Sequence, residues 1–181
     1  WFRWLQCCNF IPEEMKEFCT ITSYCTIRDN KVIHDGRLLF ESKTGNFTEF
    51  ASGLYRHTGI SYPKFHKMDN LCKLGFLSVE ILLKGKNLNY KYGGDEIGII
   101  LMNSSSSLDT DRNYQKTITS RADYFPSPAV FVYTLPNVVI GEICIRHKIF
   151  GEGNFFITEK FNPSFVFNYI SQLFDNDFVK C

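Results

Sequence analysis

The sequence lacks the cysteine spacing of a metal or redox site. No two of its seven cysteines are separated by two residues, and their number is odd, so neither a zinc ligand set nor a complete disulfide framework is indicated. Scattered, unpaired cysteines are typical of a reducing compartment, and we expect a cytoplasmic protein without metal or cofactor. The cysteines are Cys7, Cys8, Cys19, Cys25, Cys72, Cys144 and Cys181.

Long apolar runs and an excess of charge are also lacking. No apolar stretch reaches the roughly 18 to 20 residues that cross a bilayer, so we expect no membrane span. The formal net charge of +1 gives no overall attraction for nucleic acid or for an anionic membrane. Residues 1–14 have neither an initiator methionine nor the apolar centre of a signal peptide. We treat residues 1–17 as an N-terminal extension without an assigned function.

What the sequence does contain is enough apolar material for a core. Hydrophobic residues make up 44% of the 181 positions, and 18 of them are phenylalanine. A chain of this length and composition is typical of one folded domain, here residues 18–181.

The hydrophobic pattern predicts alternating strands and helices. Residues 18–27 alternate as a strand, residues 28–31 form a turn, and the run 32–33 could pair back. Residues 35–63 have several glycines and no sustained period, which predicts loops with short elements. Further helices are predicted at 64–84, 108–120, 134–147 and 163–174, with strands at 96–102, 154–158 and 177–181. Strands separated by helices indicate an α/β protein with a parallel sheet.

Three segments, taken in order, resemble the N-terminal half of the β-ketoacyl-ACP synthases of the thiolase-like superfamily. The similarity covers about residues 20–181. The segments read HKMDNLCKLGFLSVEILLKG (66–85), IGIILMNSSSSLDTDRNYQ (97–115) and FPSPAVFVYTLPNVVIGEICIRHKIFG (125–151). The resemblance implies one half of a thiolase-like fold, with a mixed, mostly parallel sheet of five strands and helices on both faces.

The resemblance also places the family's catalytic position. In the family, the strand after the glycine ends in Thr, a small residue and the catalytic Cys at a helix N-terminus. Thr158, Glu159 and Lys160 occupy these positions, and lysine cannot form the thioester. The family's two active-site histidines belong to a C-terminal half that the sequence does not contain. A desolvated Lys160 could form a Schiff base; the alternative is a solvated lysine or one paired with Glu159.

Three further groups of residues follow from the family's arrangement. The strand at 154–158 is implied to pair with its twin across a dimer axis. Residues from 131 to 138 are implied to line the partner's acyl tunnel. A basic patch could meet an acidic acyl carrier protein, or could be a solvated helix face. The interface residues are Asn154, Phe155, Phe156, Ile157 and Thr158, the tunnel candidates are Phe131, Tyr133, Leu135 and Val138, and the patch consists of Lys64, His66, Lys67 and Lys73.

The function that the resemblance implies is a catalytically silent subunit comparable to a chain-length factor. It would form a homodimer, or a heterodimer with a full-length ketosynthase, and support acyl-chain condensation in fatty-acid, aryl-polyene or polyketide biosynthesis. Acyl carrier protein is a further possible partner. Two alternatives stay open: a stand-alone acyl-thioester transferase with an unrecognised nucleophile, and an acyl-binding or scaffold module.

Overall fold

The first sheet is an antiparallel meander joined by two tight turns. In the computed structural model, which describes residues 20–43, 45–86, 88–119 and 124–181, it consists of β1 (Cys25–Arg28), β2 (Lys31–His34) and β3 (Arg37–Glu41) in that order. Asp29 and Asn30 form one turn with φ of 50° and 58°, and Asp35 and Gly36 form the other with φ of 47° and 79°. Two successive residues with positive φ match the twist of a hairpin, so both connections make antiparallel neighbours.

A twelve-residue helix follows the meander. This helix, α1 (Phe47–Thr58), begins at Asn46, whose side chain accepts a hydrogen bond from the backbone N–H of Thr48. It ends at Gly59, which has a left-handed φ of 71°. Phe50, Ala51 and Leu54 face the core.

Two helices form the centre of the molecule. After a 3-10 turn at Pro63–Lys67, α2 (Asn70–Leu82) begins at Asp69, whose carboxylate accepts from the N–H of Cys72 at 2.9 Å. It packs against α6 (Val138–His147), and Gly75 is the residue that lets the two backbones approach. The short helix α3 (Leu88–Lys91) lies beyond α2.

The second sheet has two parallel strands, β4 (Ile99–Asn103) and β5 (Gly153–Ile157). They pair in register from Ile99 with Gly153 to Asn103 with Ile157. Between them the chain forms α4 (Leu108–Ile118), α5 (Pro128–Val132) and α6. Leu101 belongs to the core that α2 and α6 share, and Phe155 packs against it.

The last helix, α7 (Pro163–Asp175), packs on β5. The Phe156 ring meets the rings of Phe165 and Tyr169 at centroid distances of 5.0 and 5.1 Å. The side-chain amide of Asn154 donates to the Tyr169 hydroxyl at 2.6 Å. Since side chains alternate along a strand, α7 lies on the face of β5 opposite to the core.

The expectation of a five-stranded, mostly parallel sheet is wrong. Three strands form a separate antiparallel sheet, and within the described ranges only β4 and β5 pair in parallel. A parallel connection needs about a dozen residues, whereas two-residue turns join β1 to β2 and β2 to β3. The half thiolase-like fold that the resemblance implied is therefore not the architecture observed.

Some of the remaining predictions of helices and strands are confirmed, and others are wrong. The hairpin turn at 28–31 and the helices at 108–120, 134–147 and 163–174 are confirmed, with ends shifted by a few residues. The helix predicted at 64–84 is divided: a 3-10 turn at Pro63–Lys67 precedes α2, which begins at Asn70. The prediction of loops with short elements over 35–63 missed α1 and the strand β3. Residues 177–181 do not form a strand, although the Lys180 N–H donates to the Glu96 carbonyl at 2.6 Å and the Gly98 N–H to the Cys181 carbonyl at 2.8 Å. Residues 1–17 lie outside the described residues, as do residues 18–19 of the strand predicted at 18–27. Within the rest of that prediction, residues 20–24 do not form a strand and residues 25–27 belong to β1.

None of the helices in the described ranges combines the length and apolarity needed to cross a membrane.

Candidate functional site

The candidate site is the corner between β5 and α7, where the family resemblance implied a nucleophile position. Thr158 continues the strand register, because its N–H donates to the Asn103 carbonyl at 3.0 Å. Asn162 caps α7 by accepting a hydrogen bond from the Phe165 N–H at 3.0 Å. Glu159 and Lys160 lie between these two fixed points, and both are exposed. The predicted strand-to-helix corner is confirmed in its position.

The chemistry of the corner is that of a solvated surface. Lys160 has no salt bridge within the described part of the chain, with Glu159 or with any other carboxylate. A lysine acts as a nucleophile when desolvation or a neighbouring cation favours its neutral form, and an exposed lysine is not desolvated. The Thr158 hydroxyl is buried and has no hydrogen-bond partner among the described residues. The described residues of the corner therefore have the strand-to-helix geometry of a nucleophile site but no activated nucleophile.

The outer edge of β5 is the second feature of the site. The Glu152 carbonyl accepts from Ile99 and the Thr158 N–H donates to Asn103, so even-numbered residues of this segment face β4. Alternation places the backbone N–H and C=O groups of Gly153, Phe155 and Ile157 on the opposite edge. In the described residues no strand pairs there, and the Ile157 side chain is 55% exposed. Such an edge is a template for pairing with another chain.

The four tunnel-lining candidates divide into two pairs. Phe131 and Leu135 are 50% and 52% exposed and lie at the surface. Tyr133 and Val138 are half-buried and pack against the core, and the Tyr133 hydroxyl donates to Glu142 at 3.3 Å. Only Phe131 and Leu135 could contact a partner directly.

The predicted basic patch is not a uniform free surface. Lys64 forms an ion pair of 2.9 Å with Glu142, whose side chain is only 5% exposed. The hydrogen bond that Lys64 donates to Glu142 raises the pKa of Lys64 above its usual value. His66 is exposed, with its ring edge-on to the rings of Tyr55 and Phe65. Lys67 is exposed and Lys73 half-buried.

Glu142 and Glu80 are the residues that the sequence analysis missed. Glu142 lies in α6 among buried apolar residues, where it meets Lys64 and Tyr133. Burial raises the pKa of Tyr133, and the neighbouring Glu142 charge raises it further. Glu80 in α2 lies 2.7 Å from Arg146 Nε and 3.3 Å from His147 Nε2, so the ends of α2 and α6 are joined by charge. For Glu142, the signal in the sequence was its position as a single glutamate inside the apolar run VVIGEICI.

The cysteines in the described ranges are poor nucleophiles. Burial raises the pKa of the Cys25 thiol to about 12, and burial also raises the pKa of Cys72 and of Cys144. A thiolate is the reactive form, so burial makes these three side chains weaker nucleophiles. Cys181 is exposed and lies outside the corner. Across the described ranges, no group of three or more His, Cys, Asp and Glu side chains is placed to hold a metal ion.

Comparison with known proteins adds no relative to this picture. The chain matches no protein-family model, no curated protein and no solved structure.

Proposed function

We propose that the chain is a non-catalytic, ketosynthase-like subunit that binds an active β-ketoacyl synthase in the cytoplasm and supports acyl-chain condensation by that partner. The observation that carries this proposal is the β5–α7 corner. An exposed lysine occupies the position of the nucleophile in the family that the sequence resembles, beside a strand edge without a partner in the described residues.

The first support is the chemistry of the corner. An acyl-transfer site needs a nucleophile, a base or dipole that activates it, and donors for the oxyanion. The N-terminus of α7 supplies a dipole, but the exposed Lys160 side chain cannot form a thioester. The buried cysteines of the described chain have raised pKa values. A binding role fits these groups better than catalysis.

The second support is the outer edge of β5. The backbone groups of Gly153, Phe155 and Ile157 on this edge can pair with one more strand. Ile157, at the end of β5, and Phe161, four residues later, have exposed apolar side chains. Addition of a strand gives affinity through main-chain hydrogen bonds and specificity through alternate side chains. The proposal rests on the succession of β5, the corner and α7 along the chain. It does not depend on the five-stranded sheet that the family resemblance implied.

The test is reconstitution with complete ketosynthases from the source genome. Each is co-expressed with the chain, and complex formation is followed by size-exclusion chromatography with light scattering and by condensation of acyl groups on carrier protein. We expect a stable complex with one ketosynthase and a change in the length distribution of its products. A chain that binds none of them, or only a second copy of itself, would contradict the proposal.

A matched pair of variants locates the interface. Ile157→Lys places a charge on the outer edge of β5, whereas Ile145→Lys places one on α6, where Ile145 is 67% exposed. We expect Ile157→Lys to weaken the complex about tenfold or more and Ile145→Lys to leave it unchanged, since a lysine at a sheet edge opposes pairing. Equal affinities for the two variants would exclude β5 as the contact.

Intact-mass measurement separates this proposal from a stand-alone transferase. After incubation with acyl-CoA or acyl carrier protein, we expect no added acyl group on the chain. An adduct that survives in wild type and disappears in Lys160→Ala or in a cysteine variant would make the chain an enzyme.

A further inference from the structure

A cavity of about 260 Å³ lies outside the β5–α7 corner, between the first turn of α2 and the turn that joins β4 to α4. We name it the serine-turn cavity, after Ser104 to Ser107 in its wall. Its apolar lining comes from Phe47, Leu71, Leu74 and Leu108.

The position of the serine-turn cavity is the one where α/β proteins bind ligands. It lies at the carboxyl end of β4, because Asn103 is both the last residue of that strand and a lining residue. In open α/β sheets, ligands bind in the crevice outside the carboxyl ends of the strands at a switch in strand order, and the two-stranded β4–β5 ladder shares with them the carboxyl-end position.

The wall is held in one shape by hydrogen bonds. The Asn103 side chain accepts from the Ser106 N–H and donates to the Ser106 carbonyl, both at 2.9 Å. These bonds hold Ser106 at a φ of 52°. The Ser107 hydroxyl donates to the Thr134 carbonyl and fixes the end of the turn. The cavity is therefore largely preformed, as small-molecule sites usually are.

The charges in the wall favour neither an anion nor a cation. Among the described residues no lysine, arginine or histidine lines the cavity, so these residues offer an anion no counter-charge. Asp69 accepts from the Cys72 N–H at 2.9 Å and from the Thr110 hydroxyl at 2.6 Å, and Asp109 accepts from the Asn70 amide at 2.7 Å. The N-terminal ends of α2 and α4 lie in the same wall, and their dipoles offset the two carboxylates.

We infer that the serine-turn cavity binds an uncharged, mainly apolar small molecule with one hydroxyl or carbonyl group. The leucines and Phe47 receive the apolar body, and the exposed hydroxyls of Ser104 and Ser105 receive the polar end. An engineered cavity of about 150 Å³ holds benzene, so this larger space suits a fused two-ring compound. This site is separate from the partner edge of β5.

Three probes with one skeleton test the inference: naphthylmethanol, naphthoate and naphthylmethylamine. Binding is followed by titration of the methyl resonances of Leu71, Leu74 and Leu108. We expect saturable shifts with the alcohol, and an affinity for it at least about tenfold above that for either ion. Equal or tighter binding of an ion, or no saturable shift with any probe, would overturn the inference.

Matched variants show that the probe enters this cavity. Ser104→Phe and, independently, Ser105→Phe fill the rim from exposed positions, whereas Ser164→Phe changes an exposed serine of α7 away from it. We expect either rim variant to weaken binding of the alcohol about tenfold and Ser164→Phe to leave it unchanged. Unchanged affinity in both rim variants would place the probe elsewhere and refute the assignment.

Discussion

At the scale of single residues, the contact between α2 and α6 depends on the missing side chain of Gly75. A Cβ atom there would lie 2.4 Å from Val139 Cγ2, and Val139 is almost fully buried. A β-branched side chain in a helix has one preferred rotamer, so Val139 cannot turn away without strain.

We therefore predict that Gly75→Ala lowers the free energy of unfolding by about 1–3 kcal/mol, the usual cost of overpacking a core. Gly141→Ala is the matched control, because Gly141 is exposed on α6 and a Cβ there meets nothing within 4 Å. That variant should raise stability by up to about 1 kcal/mol through helix propensity. Urea unfolding followed by circular dichroism measures both, and equal effects would show that α2 and α6 do not touch at Gly75.

Glu80 makes the free energy of unfolding depend on pH. Burial opposes ionisation of Glu80, but hydrogen bonds from His147 and Arg146 prevail and lower the pKa of its carboxyl below its usual value. A carboxyl with a lowered pKa in the folded state contributes stability above its unfolded pKa, and this contribution is lost as pH falls through the folded pKa.

We predict that wild type loses more stability than Glu80→Gln when the pH falls from neutral to below 4.5. The measurement is urea unfolding at a series of pH values. Asp175→Asn, which changes an exposed acid at the end of α7, should keep the wild-type slope. If the stability of Glu80→Gln falls with pH as steeply as that of wild type, Glu80 does not contribute to the loss of stability in acid.

At the scale of elements, helix α1 shows what the sequence pattern concealed. Gly53 and Gly59 are among the glycines that predict loops over residues 35–63, yet Gly53 lies within α1 and Gly59 ends it. A Cβ at Gly53 would lie 3.3 Å from the Phe40 ring, so a small residue lets β3 and α1 pack closely. Gly59 ends the helix with a left-handed φ. Asn46, a cap residue two positions before Thr48, was the available signal for the start.

The corner between β5 and α7 was predictable because its signals are local. Pro163 and the preceding Asn162 mark a helix start, and the structure begins α7 there. The exposure of Lys160, and the lack of a strand on the outer edge of β5 among the described residues, were not predictable in this way, because they depend on which elements pack around the corner.

We predict that Asn162→Ala destabilises the protein by about 1 kcal/mol, because the Phe165 N–H loses its acceptor at the start of α7. Asn162→Asp keeps a capping oxygen and should remain within a few tenths of a kcal/mol of wild type. Thermal unfolding distinguishes the two variants. If Asn162→Asp is as unstable as Asn162→Ala, the loss of the cap is not the cause.

At the scale of the whole molecule, the turn residues determine which strands pair with one another, and hydrophobic periodicity alone did not predict this. The separation of the strands by helices after residue 60 predicted one parallel sheet. The dipeptides Asp29-Asn30 and Asp35-Gly36 are hairpin signals, and they separate the first three strands into a sheet of their own. Only the first of these turns entered the prediction. A local pattern identifies an element, but its neighbours in a sheet follow from the connections.

The parallel pairing of β4 with β5 also sets an order of assembly. The meander joins residues that are close in the sequence, whereas the second sheet must bring Ile99 to Gly153 across three helices. Closing a long loop costs more chain entropy and slows the formation of contacts, so the β4–β5 ladder is completed late in folding. An outer edge exists on β5 only when that ladder is complete. A chain that has not finished folding therefore lacks this edge, so the binding that we propose would select fully folded molecules.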